Sequence, residues 1–297
     1  VINQLQLVSG YKLDGKYGES FNRLATAVFG IDFRDWYEKG FWSDRYVCHS
    51  YVDGKKVIAN VSTYKMDMVI AGEQKTAIQI GTVMTDPAYR GNGLAAKLML
   101  TVLAQYERSA DFTFLFANES VRDFYPKFGF RVQPESRFSI AVSHGNASNT
   151  IGMKQLHPAT MPEDLQLILG IFSKRKLSPI LDVIHTEPLL SFYCLSEFCE
   201  NIYYLQPLHS IAIFRIVEGT LHLYDVIRSH DFPFRRLMDY LGRSDIQKVV
   251  FHFTPDFKDL KPVAERKQQS GNTNMLFVKS ITDPFPETFT IPILAHS

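Results

Sequence analysis

The sequence predicts an α/β protein, a mixed central sheet flanked by helices, repeated as two tandem domains of similar topology. Three observations predict it. Strand-like runs over residues 45–84 are punctuated by Asp53-Gly54 and Gly72-Glu73, as in a meander of hairpins. The last of these runs, Ala77–Met84, passes through a glycine-rich turn into Leu94–Gln105, whose apolar positions recur at helical spacing. Beyond a polar, glycine-containing stretch at 143–150, the same progression of leading strand, helices, meander, helix and strand returns in unrelated sequence. The expected domains are therefore residues 1–145 and 152–297.

Residues 1–16, with Gly10 and Asp14-Gly15, suit an edge strand or an irregular lead-in. Phe21, Leu24, Ala25 and Val28 mark one side of a helix over Tyr17–Phe29. Between Ile31 and Trp42 five aromatic residues crowd twelve positions, more aromatic surface than one helix face needs. Arg45–Val52, Val57–Ala71 and Lys75–Met84 read as strands, and Asp111–Ala117 as another after the helix. Ser120–Phe128 reads as a short helix and Phe130–Val142 as a returning hairpin strand broken near Pro134.

The stretch Tyr89-Arg90-Gly91-Asn92-Gly93-Leu94-Ala95 organises this half. A turn of this kind leaves backbone N–H groups unpaired at a helix start, where the helix dipole also favours negative charge, so it can hold a phosphate or pyrophosphate. Gly91 and Gly93 let the backbone approach a ligand closely, and Ala95 keeps the helix near it. Two glycines in a strand-to-helix turn are common, so an ordinary turn is the competing reading.

Arg90, Gly93 and Ala95 match a pattern of Gln or Arg, two residues, Gly, one residue, Gly or Ala. Downstream, Asn118 precedes a segment that contains Tyr125 and closes on Gly129-Phe130. Together the two motifs resemble the acyl-coenzyme A signature and the asparagine–tyrosine region of the GNAT N-acetyltransferases, over roughly residues 17–141. The resemblance implies a GNAT-like fold and acetyl-CoA as acyl donor. It implies that Val83, Met84 and Thr85 lie on a splayed strand along which the donor's arm pairs, and that Arg90, Gly91, Asn92, Gly93, Leu94 and Ala95 hold its phosphates. Asn118 then contacts the arm or an ordered water, although it is equally suited to cap the helix after it. Tyr125 is implied as general acid to the leaving thiolate, since a phenol stays protonated at neutral pH. Phe33, Trp36 and Trp42 are implied as the acceptor wall, with plain core packing as the alternative.

No base is assigned. Many family members supply a glutamate on or near the signature strand, and Ala77–Met84 has no acidic residue. Glu73 and Asp86 flank that strand and suit turns, Asp67 sits one strand earlier, and His49 is a candidate only by its usual pKa. Deprotonation through water remains open.

In the second half, Met153–His157 reads as a strand and Pro162–Phe172 as a helix with acidic residues in its first turn. Ser178–Glu200 reads as further helix broken at Pro188. Asn201–Leu205, Ser210–Val217, Thr220–Ile227, Lys248–Phe253 and Asn274–Val278 read as strands, and Phe232–Leu241 as a helix. The position equivalent to the signature, Val226–Phe234, has no glycine, so this half is expected to be a degenerate GNAT-like domain without the cofactor motif. Residues 261–273 read as an exposed loop. The tail, with Pro284, Pro286 and Pro292, reads as an extended segment pinned by its apolar residues; returned to the first domain, the carboxylate of Ser297 would approach the cleft.

The 297 residues, 45% of them hydrophobic, suffice for two domains or one large one. Basic against acidic side chains number 17 and 15 in residues 1–150 and 15 and 16 afterwards, which argues against a nucleic acid held mainly by charge. Cys48, Cys194 and Cys199 form neither a disulfide framework nor a zinc motif and read as small buried hydrophobes, with no metal expected. No apolar run has membrane-spanning length and Val1–Gln4 begins no signal peptide pattern, so a cytoplasmic protein without a membrane partner is expected. The function read from the sequence is direct transfer of an acetyl group from acetyl-CoA to a primary amine on a small molecule or peptide, with homo-oligomer formation left open. The alternatives are a catalytically silent acyl-CoA-binding regulator and a structural interaction protein using the aromatic segment 33–42.

Overall fold

Strands buried on both faces over much of their length, such as Val57–Tyr64, build the centres of two sheets, and the order of strands in them is what positions the cleft. The computed structural model describes residues 5–142, 151–268 and 274–297. The linker 143–150, residues 269–273 of the predicted 261–273 loop and Val1–Gln4 lie outside the described residues.

The first half begins with β1 (Gln6–Ser9), α1 (Gly18–Phe29), α2 (Arg34–Glu38), β2 (Tyr46–Asp53), β3 (Lys56–Ile70) and β4 (Glu73–Thr85). It continues with α3 (Leu94–Tyr106), β5 (Phe112–Ala117), β6 (Arg131–Gln133) and β7 (Ser136–Ala141). Then follow β8 (Met153–Leu156), α4 (Pro162–Phe172), β9 (Leu181–Ile184), α5 (Glu187–Leu195), β10 (Ile202–Leu205), β11 (Ser210–Val217) and β12 (Thr220–Arg228). The chain ends with α6 (Phe234–Leu241), β13 (Lys248–Phe251), β14 (Val263–Arg266), β15 (Met275–Lys279) and a 3₁₀ turn at Ile293–Ala295.

Sheet one runs β1-β2-β3-β4-β5-β15-β6, with β9 beside the far end of β3, and sheet two runs β14-β7-β13-β12-β11-β10-β8. Both are mixed: β4 and β5 are parallel, as are β12 and β13, and the other pairs are antiparallel. The α/β class and its mixed sheets agree with the expectation. The halves nevertheless exchange strands across the predicted division. β7, from before it, pairs with β13 and β14, while β9 and β15, from after it, pair with β3 and with β5 and β6. The crossing occurs at Pro134-Glu135, where the buried Glu135 carboxylate accepts from Ile291 N (2.9 Å) and pairs with Lys267 Nζ (2.9 Å). Lys267, within the stretch 261–273 read as an exposed loop, is thus tied to the core.

Four local expectations change. Ser178–Glu200 is not one broken helix: Leu181 and Val183 alternate inward as strand β9, and Pro188 sits in the first turn of α5, where its missing N–H leaves nothing unpaired. Ser120–Phe128 is two 3₁₀ turns, Glu119–Val121 and Tyr125–Phe128, with Pro126 at the start of the second. Part of the predicted 261–273 loop is strand β14, exposed throughout and paired only with β7. His49, a base candidate by its usual pKa, is instead buried and bonded to Ser9 Oγ and Thr63 Oγ1. The tail is anchored by buried Phe285, Phe289, Ile291, Leu294 and Ala295, as its apolar residues predicted. Among the described residues no helix is long and apolar enough to cross a membrane.

Candidate active site

The cleft starts from an irregularity in β4. Asn60 faces Met84 and Ser62 faces Gly81, so β4 carries an extra residue against β3. Thr82 takes up the bulge with φ of 47°, a conformation that costs a β-branched residue of order 1–3 kcal/mol and needs support from its surroundings. Asn60 Nδ2 donates to Thr82 O (2.9 Å) and to Ser62 Oγ (2.9 Å), and the Tyr46 hydroxyl bonds to Thr82 Oγ1 (2.8 Å). Parallel pairing with β5 stops immediately before this point, at Ile80 and Leu115. From Gly81 to Thr85 the β4 edge that faces β5 therefore has no strand partner among the described residues.

Past β4 the chain is arranged around a helix start. Asp86 accepts from Ala88 N (2.9 Å) and pairs with Lys56 (2.6 Å), which shapes the turn at Pro87–Tyr89. Asn92 Nδ2 turns back to Tyr89 O (2.9 Å) and Arg90 O (3.3 Å). Gly91 and Gly93 have φ of 79° and 71°, the left-handed region that disfavours a side chain, and no side chain caps α3. The first-turn N–H groups of an uncapped helix are an anion site in waiting.

The splay opens into a cavity of about 430 Å³. Gly81, Thr82, Val83, Ala117, Asn118 and Tyr125 line one side; Phe29, Ile31, Phe33, Trp36, Leu189 and Phe192 line the other. No Asp, Glu, Lys or Arg side chain is among the lining residues. Tyr125 is buried, and desolvation pushes its phenol up to about 12, so it is protonated throughout the neutral range. The tail enters here too. His296 stacks on Phe116 with ring centroids 3.6 Å apart, and burial lowers its imidazole to about 3, leaving it neutral. Ser297 lies against Gly81 so closely that a Cβ at position 81 would come within 2.6 Å of its backbone oxygen. Three solvent-shielded atoms on the lining residues, Gln79 Oε1, His296 Nε2 and Ser297 Oγ, have no hydrogen-bond partner among the described residues.

Residues 12–133 match the family model of the acetyltransferase (GNAT) domain. Over that segment, a little over two fifths of the chain, the sequence is similar to GNAT domains. Solved structures with the same fold extend the likeness over almost the whole chain. A conserved protein from Enterococcus faecalis, described as a probable N-acyltransferase, is 17% identical with a TM-score of 0.63, covering 93% of this chain and 72% of that one. A GCN5-related N-acetyltransferase from Kribbella flavida is 16% identical with a TM-score of 0.55, covering 93% and 71%. Eis1 from Mycobacterium abscessus is 14% identical with a TM-score of 0.55, covering 92% and 73%. No curated protein matches.

The structure brings some predicted site residues together and not others. Val83, Asn118, Tyr125, Phe33 and Trp36 line the cavity. Met84 is buried in the core behind it, and Thr85 accepts from Arg90 Nε (3.3 Å), which ties that guanidinium to the end of β4. Arg90, Gly91, Asn92, Gly93, Leu94 and Ala95 lie beyond the cavity, around the start of α3, with Leu94 buried in the core. Asn118 Oδ1 is occupied as a cap, accepting from Ser120 N (3.1 Å) and Ser120 Oγ (2.5 Å). Trp42 does not line the cavity; it packs behind the wall on Tyr46, Phe33 and Trp36, with centroids 5.2, 5.7 and 5.8 Å away. Phe33, Trp36 and Trp42 are all buried, so the segment 33–42 does not present them as a docking surface. The base candidates stand elsewhere: Glu73 pairs with Lys75, Asp67 with Arg45 and His185, and His49 is lowered to about 4 by burial.

Residues unassigned by sequence complete the site. Leu189, Phe192 and Tyr193 come from α5, with Trp36 Nε1 donating to Pro188 O (2.6 Å) to hold that helix against the wall. Nothing local marks them, because they reach the cleft only through the packing of the second half on the first. Gly81 did carry a signal: a glycine inside a strand points to close backbone approach.

Proposed function

We propose that the protein transfers an acetyl group from acetyl-CoA to a primary amine, with both substrates meeting in the β4–β5 splay. The observation that carries this reading is the unpaired β4 edge at Gly81–Thr85, flanked by neutral Tyr125 and followed by the uncapped start of α3. The edge offers backbone N–H and C=O groups to an extended amide-bearing arm, as an added strand would use them. The N–H groups of α3 and its preceding turn receive the pyrophosphate. A backbone N–H at the bulge polarises the thioester carbonyl as charge develops on its oxygen. The amine nitrogen forms the new C–N bond, the C–S bond breaks, and sulfur takes the Tyr125 proton. Water carries the proton lost by nitrogen back to the phenolate. No side-chain carboxylate lines the cavity, so the acceptor reacts from its neutral fraction and no dedicated base is assigned.

Calorimetric titration with acetyl-CoA, followed by thiol release against pooled amines, tests this. Saturable binding with amine-dependent release is expected. Binding without release over a broad panel favours the catalytically silent reading, which the lack of a side-chain carboxylate in the lining supports; no binding by folded protein removes the donor assignment.

A further inference from the structure

The cavity that receives the acceptor is divided by chemistry. At one end lie Gly81 and Thr82 on the bulge, together with Gln79 and the tail residues His296 and Ser297. At the other, Phe29, Ile31, Phe33 and Trp36 from the first half face Leu189 and Phe192 from α5. The polar end is short of donors. Gln79 is 1% exposed and its Oε1 is an unpaired carbonyl acceptor; His296 Nε2 and Ser297 Oγ are likewise shielded and unpaired among the described residues. A buried acceptor left unmade costs free energy, and an N–H donor in the cavity restores the bond. Apart from Asn118 and Asn274 the remaining wall is aromatic and aliphatic, tyrosines included, with no ionic side chain to compensate a second positive charge.

We infer that the acceptor is a monoamine with an apolar aromatic or alkyl body, its nitrogen directed to Gln79, His296 and Ser297 and its body held between α2 and α5. This rests on the transferase reading for the reaction but not for binding. Polyamines and multiply cationic aminosugars are disfavoured, because each further ammonium would be stripped of water against aromatic faces without a carboxylate. Cation–π attraction to Trp36 or Phe192 offsets only part of that loss. The second half thereby acquires a role: α5, fixed through Pro188 to Trp36, sets which body fits.

The test is binding by the full chain, without donor, of 2-phenylethylamine and of spermidine, by calorimetry and by quenching of tryptophan emission, since Trp36 forms part of the wall. Acetyl-CoA titration runs on the same sample. At least tenfold tighter binding of 2-phenylethylamine is expected. Phe29→Asp, at the 47% exposed end of α1 on the cavity's rim, leaves the core intact and should narrow that ratio severalfold; Phe192→Asp should narrow it further. Spermidine bound equally well, or no detectable binding of 2-phenylethylamine, overturns the inference. Selective amine binding without acetyl-CoA binding supports it while removing the donor reading, so the two fail separately.

Discussion

The two halves contain the same splay and use it in opposite ways. β4 and β5 are parallel up to Ile80 and Leu115 and then part around a cavity of about 430 Å³ that the tail residues His296 and Ser297 help to line; β12 and β13 are parallel from Thr220 and Lys248 to Leu223 and Phe251 and then part around the preceding stretch of the tail, at Thr290 and Ile293. In the second splay Ile293 N donates to His252 O (3.3 Å), and Thr254 and Thr290 exchange hydrogen bonds of 2.9 Å, leaving a cavity of about 70 Å³. The helix starts differ in the same sense. α3 has no side-chain cap, whereas Phe234 N and Arg235 N of α6 donate to the Asp259 carboxylate at 2.7 and 3.4 Å. A shared topology thus yields a binding cleft only where backbone polar groups are left unpaired. The expected stoichiometry is one acetyl-CoA per chain.

The largest effect should separate chemistry from binding in the open splay. Tyr125→Phe removes the proton donor but keeps the ring among Phe124, Phe130 and Phe277. Thiol release should fall by about 10²-fold or more, in line with loss of a positioned acid, while the acetyl-CoA Kd stays within about twofold. Unchanged turnover would remove Tyr125 from the mechanism.

The closed splay should respond in stability alone. The buried Arg228 guanidinium pairs with Asp256 and lies over Phe257, 4.1 Å from its centroid. Arg228→Met strands Asp256 without its partner and should destabilise by about 3–5 kcal/mol in urea unfolding. Acetyl-CoA affinity of the folded variant should not change; a large change would couple the two splays and weaken their comparison.

These contrasts were unequally legible in the sequence. Around the open splay, the strand, the glycine turn and the helix were readable because they are local, within some thirty residues, while the parting of the strands was implied only by the family resemblance. Val226–Phe234 has no glycine, but nothing in that stretch says that the tail fills the second splay. The exchange of β7 and β15 was not readable, because a strand's apolar pattern says that it is buried but not which sheet it joins. Phe192 and Tyr193 were missed for a related reason: an aromatic pair on a helix reads the same whether it faces a core or a cavity. Trp42 shows the converse, an aromatic in the right segment that packs one layer too deep.

The closed splay also has its own pH dependence. Asp225 faces Asp182 of β9, Arg175 after α4 and Arg228 on its own strand, with Asp256 lining the same small cavity. Burial, then Asp182, raises its carboxyl to about 6, against about 3.9 in the unfolded chain. A raised acid stabilises the fold fully below the unfolded value and loses that contribution as pH climbs through the folded one. Asp225→Asn should therefore gain about 1–2 kcal/mol on wild type between pH 5 and pH 8. A difference that is flat with pH would mean that Asp225 is ionised at both.

The smallest expected effect asks whether uncapping a helix is enough to make an anion site. Asp259→Ala frees Phe234 N and Arg235 N and gives α6 the unpaired start that α3 has. Loss of such a carboxylate cap should lower stability by about 1 kcal/mol, measurable as a shift in the urea midpoint. Acetyl-CoA stoichiometry should remain one, because the tail still fills the neighbouring splay and Phe232-Pro233 replaces the glycine turn, leaving no path for the arm. A second equivalent bound by Asp259→Ala would mean that the cap alone had been closing the second half. The difference between the halves would then reside in one carboxylate rather than in the course of the tail.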